Sequence, residues 1–286
     1  MENDKVWTKE ELIADLKKGG IPEGALLHLK VSLRAIGKIE GGAQTLLDAL
    51  LATVGDEGTL VIDSFITSYP LPLNKEDAKK ISSEKSPSYA GALANVMIQH
   101  PDMVRSKHPI QRFTAIGKLA HELMDNHTPE SGAYDVLSRM AEMGAVNLSV
   151  GRKTIGVGTT HVAIEKSGLS KKIPPMGVNY IDPDGNIKLF RVNWNGGCGR
   201  GFPKFIPLYE KAGCLKWIKV GNADAVLTDM AGTLRVEMEK LREDPSFFFC
   251  DDPTCKDCRL NWKHSTGNYF KVKYYSLLKI LKDRSG

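Results

Sequence analysis

The chain has 286 residues, of which 42% are hydrophobic and 26% charged, as in ordinary soluble globular proteins with a substantial core. No run approaches the roughly 18 apolar residues of a membrane span, and the opening residues, MENDKVWTKEEL, lack the apolar stretch of a signal peptide. The five cysteines are an odd number and are spread along the chain. We therefore expect a reduced, cytoplasmic protein without a membrane span.

The formal net charge of +5 is concentrated in the carboxy-terminal tail. From Arg259 onward the sequence has seven lysines and arginines but a single acid, Asp283. This segment is either a solvated helix face or a source of positive potential that attracts an anionic ligand, such as a phosphate-bearing cofactor or a sugar nucleotide. No nucleic-acid-binding motif accompanies the charge, so we expect no nucleic-acid partner.

The amino-terminal part alternates predicted helices and strands. Thr8 followed by Glu11 predicts a capping box that opens a helix, which the glycines at 19 and 20 end. A buried strand, ALLHLKVSL, a helix, AQTLLDALLATVG, and a second strand, GTLVIDSF, follow. This order favours a layered α/β domain.

The remaining elements are predicted around a long polar segment. Residues 69–90 are polar and punctuated by prolines, which favours a mobile loop over a site. Helices, a strand and a glycine-rich turn into a short helix are predicted in GALANVMIQH, KLAHELMDNH, SGAYDVLSRMAEMG, AVNLSVG and KTIGVGTTHVAIEKSG. From about Pro174 a second region begins, with the strands MGVNYI and IKLFRVNW joined by the turn Asp182–Gly185.

The segment His28–Gln44, HLKVSLRAIGKIEGGAQ, is a candidate anion or cofactor site. A strand that ends in small and polar residues before a helix start leaves backbone N–H groups free to bind an anion. Neither a P-loop nor GxGxxG is present. An ordinary strand-to-helix turn explains the same spacing, and both interpretations stay open.

Several blocks of the chain together resemble one known family. The central block consists of Pro87-Ser88, Gly91, Leu93, Arg105-Ser106, His108-Pro109, Ala115 and Gly117. Flanking blocks are VSLRAIGKIEGGAQTLLDALLATVGDEGTLVIDSF, IGVGTTHVAIE, GCGRGFPKF and VGNADAVL. Over roughly residues 8–235 this combination resembles the aminoglycoside 3-N-acetyltransferase family.

The resemblance implies a fold and an activity. The expected fold is α/β, layered, with a central mixed β-sheet flanked by helices and a smaller carboxy-terminal α+β region. Residues 1–173 would form the acyl-coenzyme-A-binding core, and 174–286 the carboxy-terminal part of the same catalytic unit. The implied activity is that of an acyltransferase, in which acyl-coenzyme A is the co-substrate and the acyl group passes directly from the thioester to a sugar amine.

The resemblance also implies site residues. Contacts with coenzyme A are expected from Lys30, Ser32, Leu33, Arg34, Arg105 and Ser106. Contacts with the acceptor are expected from Ser64, Tyr69, Arg112 and Glu165. Lys30 and Val31 replace a His-Ser pair of the family.

The catalytic block departs from the family at the position of the base. Where the family has His-Pro-Thr-His-Ser, this chain has His108-Pro109-Ile110-Gln111-Arg112, and a glutamine cannot accept a proton near neutral pH. We predict His108 and Gln111 as the catalytic pair. Three alternatives stay open: an inactive protein, a substitute base (His108, His161 or Glu165), or an amine that arrives neutral and is oriented by Gln111.

Charge guides the prediction of the acceptor. Aminoglycosides are polycations, whereas this chain has a neutral body, a basic tail and Arg112 in the catalytic block. We therefore expect the acceptor to be a nucleotide-linked amino sugar, a precursor of cell-surface polysaccharide. Aminoglycoside acetylation, which confers antibiotic resistance, and a non-catalytic coenzyme-A-binding protein are the alternatives. The expected partners are thus small molecules, and the oligomeric state stays open, a homodimer included.

A cysteine-rich segment near the carboxy terminus is the candidate for a metal. Cys250, Cys255, Cys258 and His264 have a spacing that would suit a Cys3His zinc site. Three reduced cysteines packed under Phe247–Phe249 are the alternative explanation of the segment. No metal is assigned to the catalytic site itself.

Overall fold

The computed structural model describes residues 5–151, 156–265 and 267–284. The strands are β1 (Val6–Trp7), β2 (Leu26–Val31), β3 (Lys38–Ile39), β4 (Thr59–Asp63), β5 (Tyr69–Pro70), β6 (Ile81–Ser82), β7 (Val104–Arg105), β8 (Phe113–Gly117), β9 (Val146–Val150), β10 (Met176–Ile181), β11 (Ile187–Arg191), β12 (Leu215–Val220) and β13 (Ala223–Asp229). The α-helices are α1 (Lys9–Gly19), α2 (Leu33–Ile36), α3 (Ala43–Val54), α4 (Ala92–Met97), α5 (Ala120–Met124), α6 (Asp135–Glu142), α7 (Thr160–Lys166), α8 (Ile206–Lys211), α9 (Met230–Glu243) and α10 (Tyr269–Arg284).

The main sheet is mixed and has seven strands in the order β12-β13-β9-β2-β4-β8-β7. β2 pairs in parallel with β4 and β9, and the other neighbours are antiparallel. All five residues of β4 are buried, as expected for a central strand covered on both faces. The predicted fold class is confirmed.

Helices cover both faces of this sheet. On one face the core includes Leu12 and Leu16 of α1 with Leu46, Leu47 and Leu50 of α3. On the other face α5 and α6 contribute apolar side chains to a second core. The predicted capping box of α1 is present, because the Thr8 hydroxyl accepts from the Glu11 N–H while the Glu11 carboxylate accepts from the Thr8 N–H.

The second sheet joins the predicted β10–β11 hairpin to the polar segment 69–90. β10 pairs with β11 and β5 in antiparallel fashion and with β6 in parallel fashion. The hairpin turn ends at Gly185, whose φ of 84° lies in the left-handed region. The structure thus differs from the predicted loop, because two-residue strands at 69–70 and 81–82 pair with β10 yet are too short to leave a periodic pattern.

The carboxy-terminal part of the chain contributes to both sheets. β12 and β13 form a hairpin that joins the main sheet at β9. The division at residue 174 therefore does not separate the sheets, and it stays a prediction. Over the described ranges, none of the helices is both long and apolar enough to cross a bilayer.

Candidate active site

A buried polar network lies where β2, β4 and β9 meet. The His28 ring approaches Asn147 Oδ1 with Nδ1, at 2.8 Å, and Asp63 Oδ1 with Nε2, at 3.1 Å. The Lys30 ammonium donates to the other Asp63 oxygen. His28 and Lys30 are two residues apart on β2, so they project from the same face of the sheet toward the last residue of β4.

Lys30 and His28 control the charge of Asp63. Burial alone would raise the pKa of this carboxyl group, but the charges of Lys30 and His28 outweigh that effect and hold the pKa of Asp63 well below its usual range. Asp63 is therefore ionised at neutral pH, although it is only 6% exposed. The ion pair holds the Lys30 ammonium and the Asp63 carboxylate at fixed positions in the interior.

A cleft and a smaller inner cavity adjoin this network. The inner cavity, of about 140 Å³, is lined by Lys30 and Asp63 and by the chain at 156–158. The cleft, of about 700 Å³, opens beside it and has the size of a small-molecule site. Among the described residues, the side chains that line both spaces are those of Phe65, Gln111, Tyr134 and His161.

Gln111 is positioned by the backbone turn that contains His108. The His108 ring accepts at Nδ1 from the N–H groups of Ile110, at 3.2 Å, and Gln111, at 3.0 Å. That ring is fully buried and stacks on His127 with 5.0 Å between ring centroids. Burial, with the neighbouring His127 and Arg112 charges, lowers the pKa of His108 to about 3. His108 is thus neutral and shapes the turn, while Gln111 lines the cleft.

His161 and Glu165 lie one turn apart on α7 and so share a helix face. The His161 ring stacks on Tyr134 at 4.8 Å and is nearly parallel to it. Burial lowers the pKa of His161 to about 4. Burial, reinforced by the Asp135 charge, raises the pKa of Glu165 to about 7. Burial raises the pKa of Tyr134 well above its usual value, and the nearby Glu165 charge raises it further.

The two arginines of the central block are buried. Arg105 donates to the carbonyl oxygens of Ser64, Glu84 and Ser86, each at 2.6 Å. Arg112 donates to the Ser106 carbonyl oxygen at 2.6 Å. Both guanidinium groups are thus engaged in holding the loops around β7 and β8.

The other predicted contact residues lie in different places. Ser64 is fully buried, and its hydroxyl accepts from Thr114 at 2.9 Å. The Tyr69 ring, on β5, packs under the ammonium of Lys80. Ser32 precedes α2, where Leu33 is half-buried and Arg34 is exposed. Of the predicted site residues, the structure brings together Lys30, Gln111 and His161, and Glu165 lies one helical turn from His161. The roles predicted for the other residues stay predictions.

Sequence reasoning missed several residues of the site. Asp63 lies within the predicted strand GTLVIDSF, two residues before its end, and ends the observed strand β4. A carboxylate near the end of a buried strand could have indicated a site residue. Tyr134, which lies against the predicted His161, had no such signal. Lys171 and Asp257 form an ion pair in the cleft lining across 86 residues of sequence, which no local pattern could indicate.

Comparisons with known proteins place this geometry in context. The family described as aminoglycoside 3-N-acetyltransferase matches residues 27–242. Aminoglycoside N(3)-acetyltransferase III of Serratia marcescens is 30% identical over 197 residues, which cover 63% of this chain and 73% of that protein. Aminoglycoside N(3)-acetyltransferase VIII of Streptomyces fradiae is 30% identical over 160 residues, covering 50% of this chain and 56% of that protein. The chain thus matches little more than half the length of the latter.

A solved structure shares the fold. AAC-IIIb in its binary complex with CoASH gives a TM-score of 0.74 at 20% identity, over 84% of this chain and 97% of that chain. At this identity the likeness establishes the fold alone.

These matches contradict the expectation of a nucleotide-linked amino sugar as acceptor, because the family and both curated relatives are named for aminoglycosides. The expectation was wrong for a physical reason. It relied on the basic tail and on Arg112, but the tail forms α10, where Lys271 and Lys273 are exposed to solvent, and Arg112 is buried against Ser106. Neither Arg112 nor any described residue of α10 lines the cleft, so the net charge of the chain was a poor guide to the acceptor.

The buried ion pair predicts a pH-dependent stability. Because the folded-state pKa of Asp63 is depressed, its contribution is present above the unfolded value of about 4 and is lost as pH falls below it. We expect Asp63→Asn to lower the free energy of unfolding at pH 7 by about 3 kcal/mol, since it leaves the Lys30 ammonium without its counter-charge. Urea titration at neutral and acidic pH measures both quantities.

The matched control is Asp125→Asn, which removes an exposed carboxylate paired with His121 and should change stability by less than about 1 kcal/mol. The effect of Asp63→Asn should shrink toward acidic pH. An equal loss at neutral and acidic pH would contradict the electrostatic account.

Proposed function

The chain belongs to the aminoglycoside 3-N-acetyltransferase family, and from that premise we propose that it transfers an acetyl group from acetyl-coenzyme A to an amine of an aminoglycoside. Such a reaction would inactivate the antibiotic and protect the cell that carries the protein. The observation that carries the proposal is the family match across residues 27–242, which includes Gln111, Tyr134, His161 and Glu165.

The cleft supports an acceptor of several rings. Its volume of about 700 Å³ lies within the range of drug-sized sites. The aromatic side chains of Tyr89, Tyr134 and Trp194 line it, and such rings pack against sugar faces and cations. In the cleft lining Asp257 is paired with Lys171, and Lys172 is a second cation there. Glu165, one helical turn from the cleft residue His161, is the carboxylate that we expect to interact with a cationic ligand.

The inner cavity supports the position of the thioester. Lys30 lines this cavity beside its partner Asp63, and its side chain is 28% exposed. We place the acetyl carbonyl against the Lys30 ammonium, where a fixed positive charge stabilises the oxygen that becomes negative in the transition state. The coenzyme arm would then run toward Ser32, Leu33 and Arg34.

Glu165 is the proton acceptor that we favour among the open alternatives. A general base works best when its pKa lies near the operating pH. The pKa of Glu165 is raised to about 7, whereas those of His108 and His161 are lowered to about 3 and 4. His108 is also fully buried in the turn and does not line the cleft.

The step balances without any further reactant. The neutral amine attacks the thioester carbonyl carbon and forms the C–N bond, and the C–S bond breaks as the coenzyme leaves as a thiol or thiolate. The amine proton passes to the Glu165 carboxylate, directly or through one water, and from there to solvent or the thiolate. Gln111 hydrogen-bonds and orients the amine, a role that an amide fills without gaining or losing a proton.

The proposed activity is tested by coenzyme A thiol release. With acetyl-coenzyme A and gentamicin or sisomicin, we expect release that is saturable in both substrates. A nucleotide-linked amino sugar should give only the background rate. Binding of acetyl-coenzyme A without release in the presence of any aminoglycoside would overturn the proposal in favour of a non-catalytic binding protein.

The proton-acceptor assignment predicts a pH profile. For the wild type, kcat/KM should rise as Glu165 ionises through about pH 7. Glu165→Gln should lower kcat/KM by roughly 10²- to 10⁴-fold and remove this inflection, because the amide cannot accept the proton. Steady-state kinetics across the neutral range measure both effects.

Two variants serve as controls for this profile. Glu239→Gln changes an exposed carboxylate on α9 and should leave the profile unchanged. Gln111→Ala should lower the rate but keep the inflection, since it removes only an orienting hydrogen bond. The assignment fails if Glu165→Gln retains the wild-type inflection.

A further inference from the structure

Four cysteines from two distant parts of the chain converge at one point. They are Cys198, Cys250, Cys255 and Cys258, and their Sγ atoms all lie within 4.8 Å of one another. Cys198 is only partly buried, and the other three are at most 8% exposed. All four are free thiols rather than disulfides.

We propose that these four cysteines bind a zinc ion in a closed tetrathiolate site. Zn–S bonds of about 2.3 Å in a tetrahedron place the sulfurs about 3.8 Å apart, which the converged cluster reaches with small shifts of side chains. Soft thiolate ligands in a tetrahedral set select zinc. Because four protein ligands leave no open position, the ion is structural and takes no part in the chemistry of the cleft.

The surroundings of the cluster suit an ion ligated by thiolates. Zinc with four thiolates has a net negative charge, and Arg200 lies beside it with Nε 3.4 Å from the Cys198 Sγ. The same guanidinium is held by Asp252 at 2.9 Å. The loop from Cys250 to Cys258 is further fixed by Arg259, which donates to the Cys250 carbonyl oxygen at 2.5 Å.

The ligand set differs from the Cys3His set that the sequence spacing suggested. The His264 ring stacks on Phe249 with 5.2 Å between ring centroids and belongs to an aromatic cluster with Phe248 and Trp262. Cys198 occupies the fourth position. Since Cys198 lies 52 residues before Cys250 in the chain, only the fold brings it to the cluster.

The site also fixes one wall of the cleft. Asp257, between Cys255 and Cys258, accepts from the Cys198 N–H at 2.8 Å and pairs with Lys171. Lys171 and Asp257 both line the cleft. A zinc ion would therefore hold the carboxy-terminal loop against the rest of the molecule, whether or not the proposed acetyl transfer takes place.

The test is the metal content of the full chain, purified under reducing conditions from cells supplied with zinc. Elemental mass spectrometry should find one zinc ion per chain, and cobalt exchange should give the charge-transfer absorption of a tetrahedral tetrathiolate site. Cys198→Ser and Cys255→Ser should each lose most of the bound zinc.

Two control variants separate this ligand set from its alternatives. Cys214→Ser alters a buried cysteine outside the cluster and should keep the zinc, as should His264→Gln. The cobalt spectrum of the wild type decides the outcome even if a ligand variant fails to fold. A wild-type protein that lacks zinc and shows no thiolate charge transfer with cobalt overturns the proposal, as does a disulfide among the four cysteines found by intact-mass analysis. Loss of zinc in His264→Gln with retention in Cys198→Ser would also overturn it.

Discussion

The ion pair between Asp63 and Lys30, with His28 against the other carboxylate oxygen, is the interaction around which the site is built. Parallel pairing of β2 and β4 brings Leu29 opposite Ile62, so the next residues along the strands, Lys30 and Asp63, meet at the carboxyl ends of these two strands. Burying a lone carboxylate would cost several kcal/mol, and the Lys30 ammonium and the hydrogen bond with the His28 ring offset that cost. The inner cavity forms where these charges meet the chain at 156–158.

Much of the frame around this pair was predictable from the sequence. The buried strands β2 and β4, the capping box at Thr8 and the helix α3 follow from local patterns, and the combined blocks indicated the family. The pairing of β5 and β6 with β10 was not predictable, because each of those strands has only two residues. The contacts between Lys171 and Asp257, and between Cys198 and the distal cysteines, depend on tertiary structure and leave no local spacing.

The charges illustrate why composition misled the prediction of the acceptor. Net charge describes the whole surface, whereas recognition depends on the few groups that face the ligand. Most of the excess of basic residues lies on α10 and near it. Arg105 and Arg112 are buried and donate hydrogen bonds to the carbonyl oxygens of Ser64 and Ser106. Among the described residues that line the cleft, the charged side chains are Lys171, which is paired with Asp257, and Lys172; Glu165 lies one helical turn from the cleft residue His161.

In the proposed mechanism, Gln111 stands where the family has a histidine, and the proton passes instead to a group on a neighbouring element. The glutamine keeps the hydrogen-bonding capacity of the position, and the turn around His108 holds it against the cleft. Glu165, whose pKa is raised to about 7, lies on α7 with His161 and is the group that we propose to accept the proton in place of the histidine.

Product analysis tests the central claim most directly. After incubation with acetyl-coenzyme A and an aminoglycoside, mass spectrometry and NMR identify whether an acetyl group has been added and to which amine. The account predicts a single acetyl group on the 3-amino group. An unmodified aminoglycoside, or acetylation only at another amine, would contradict it.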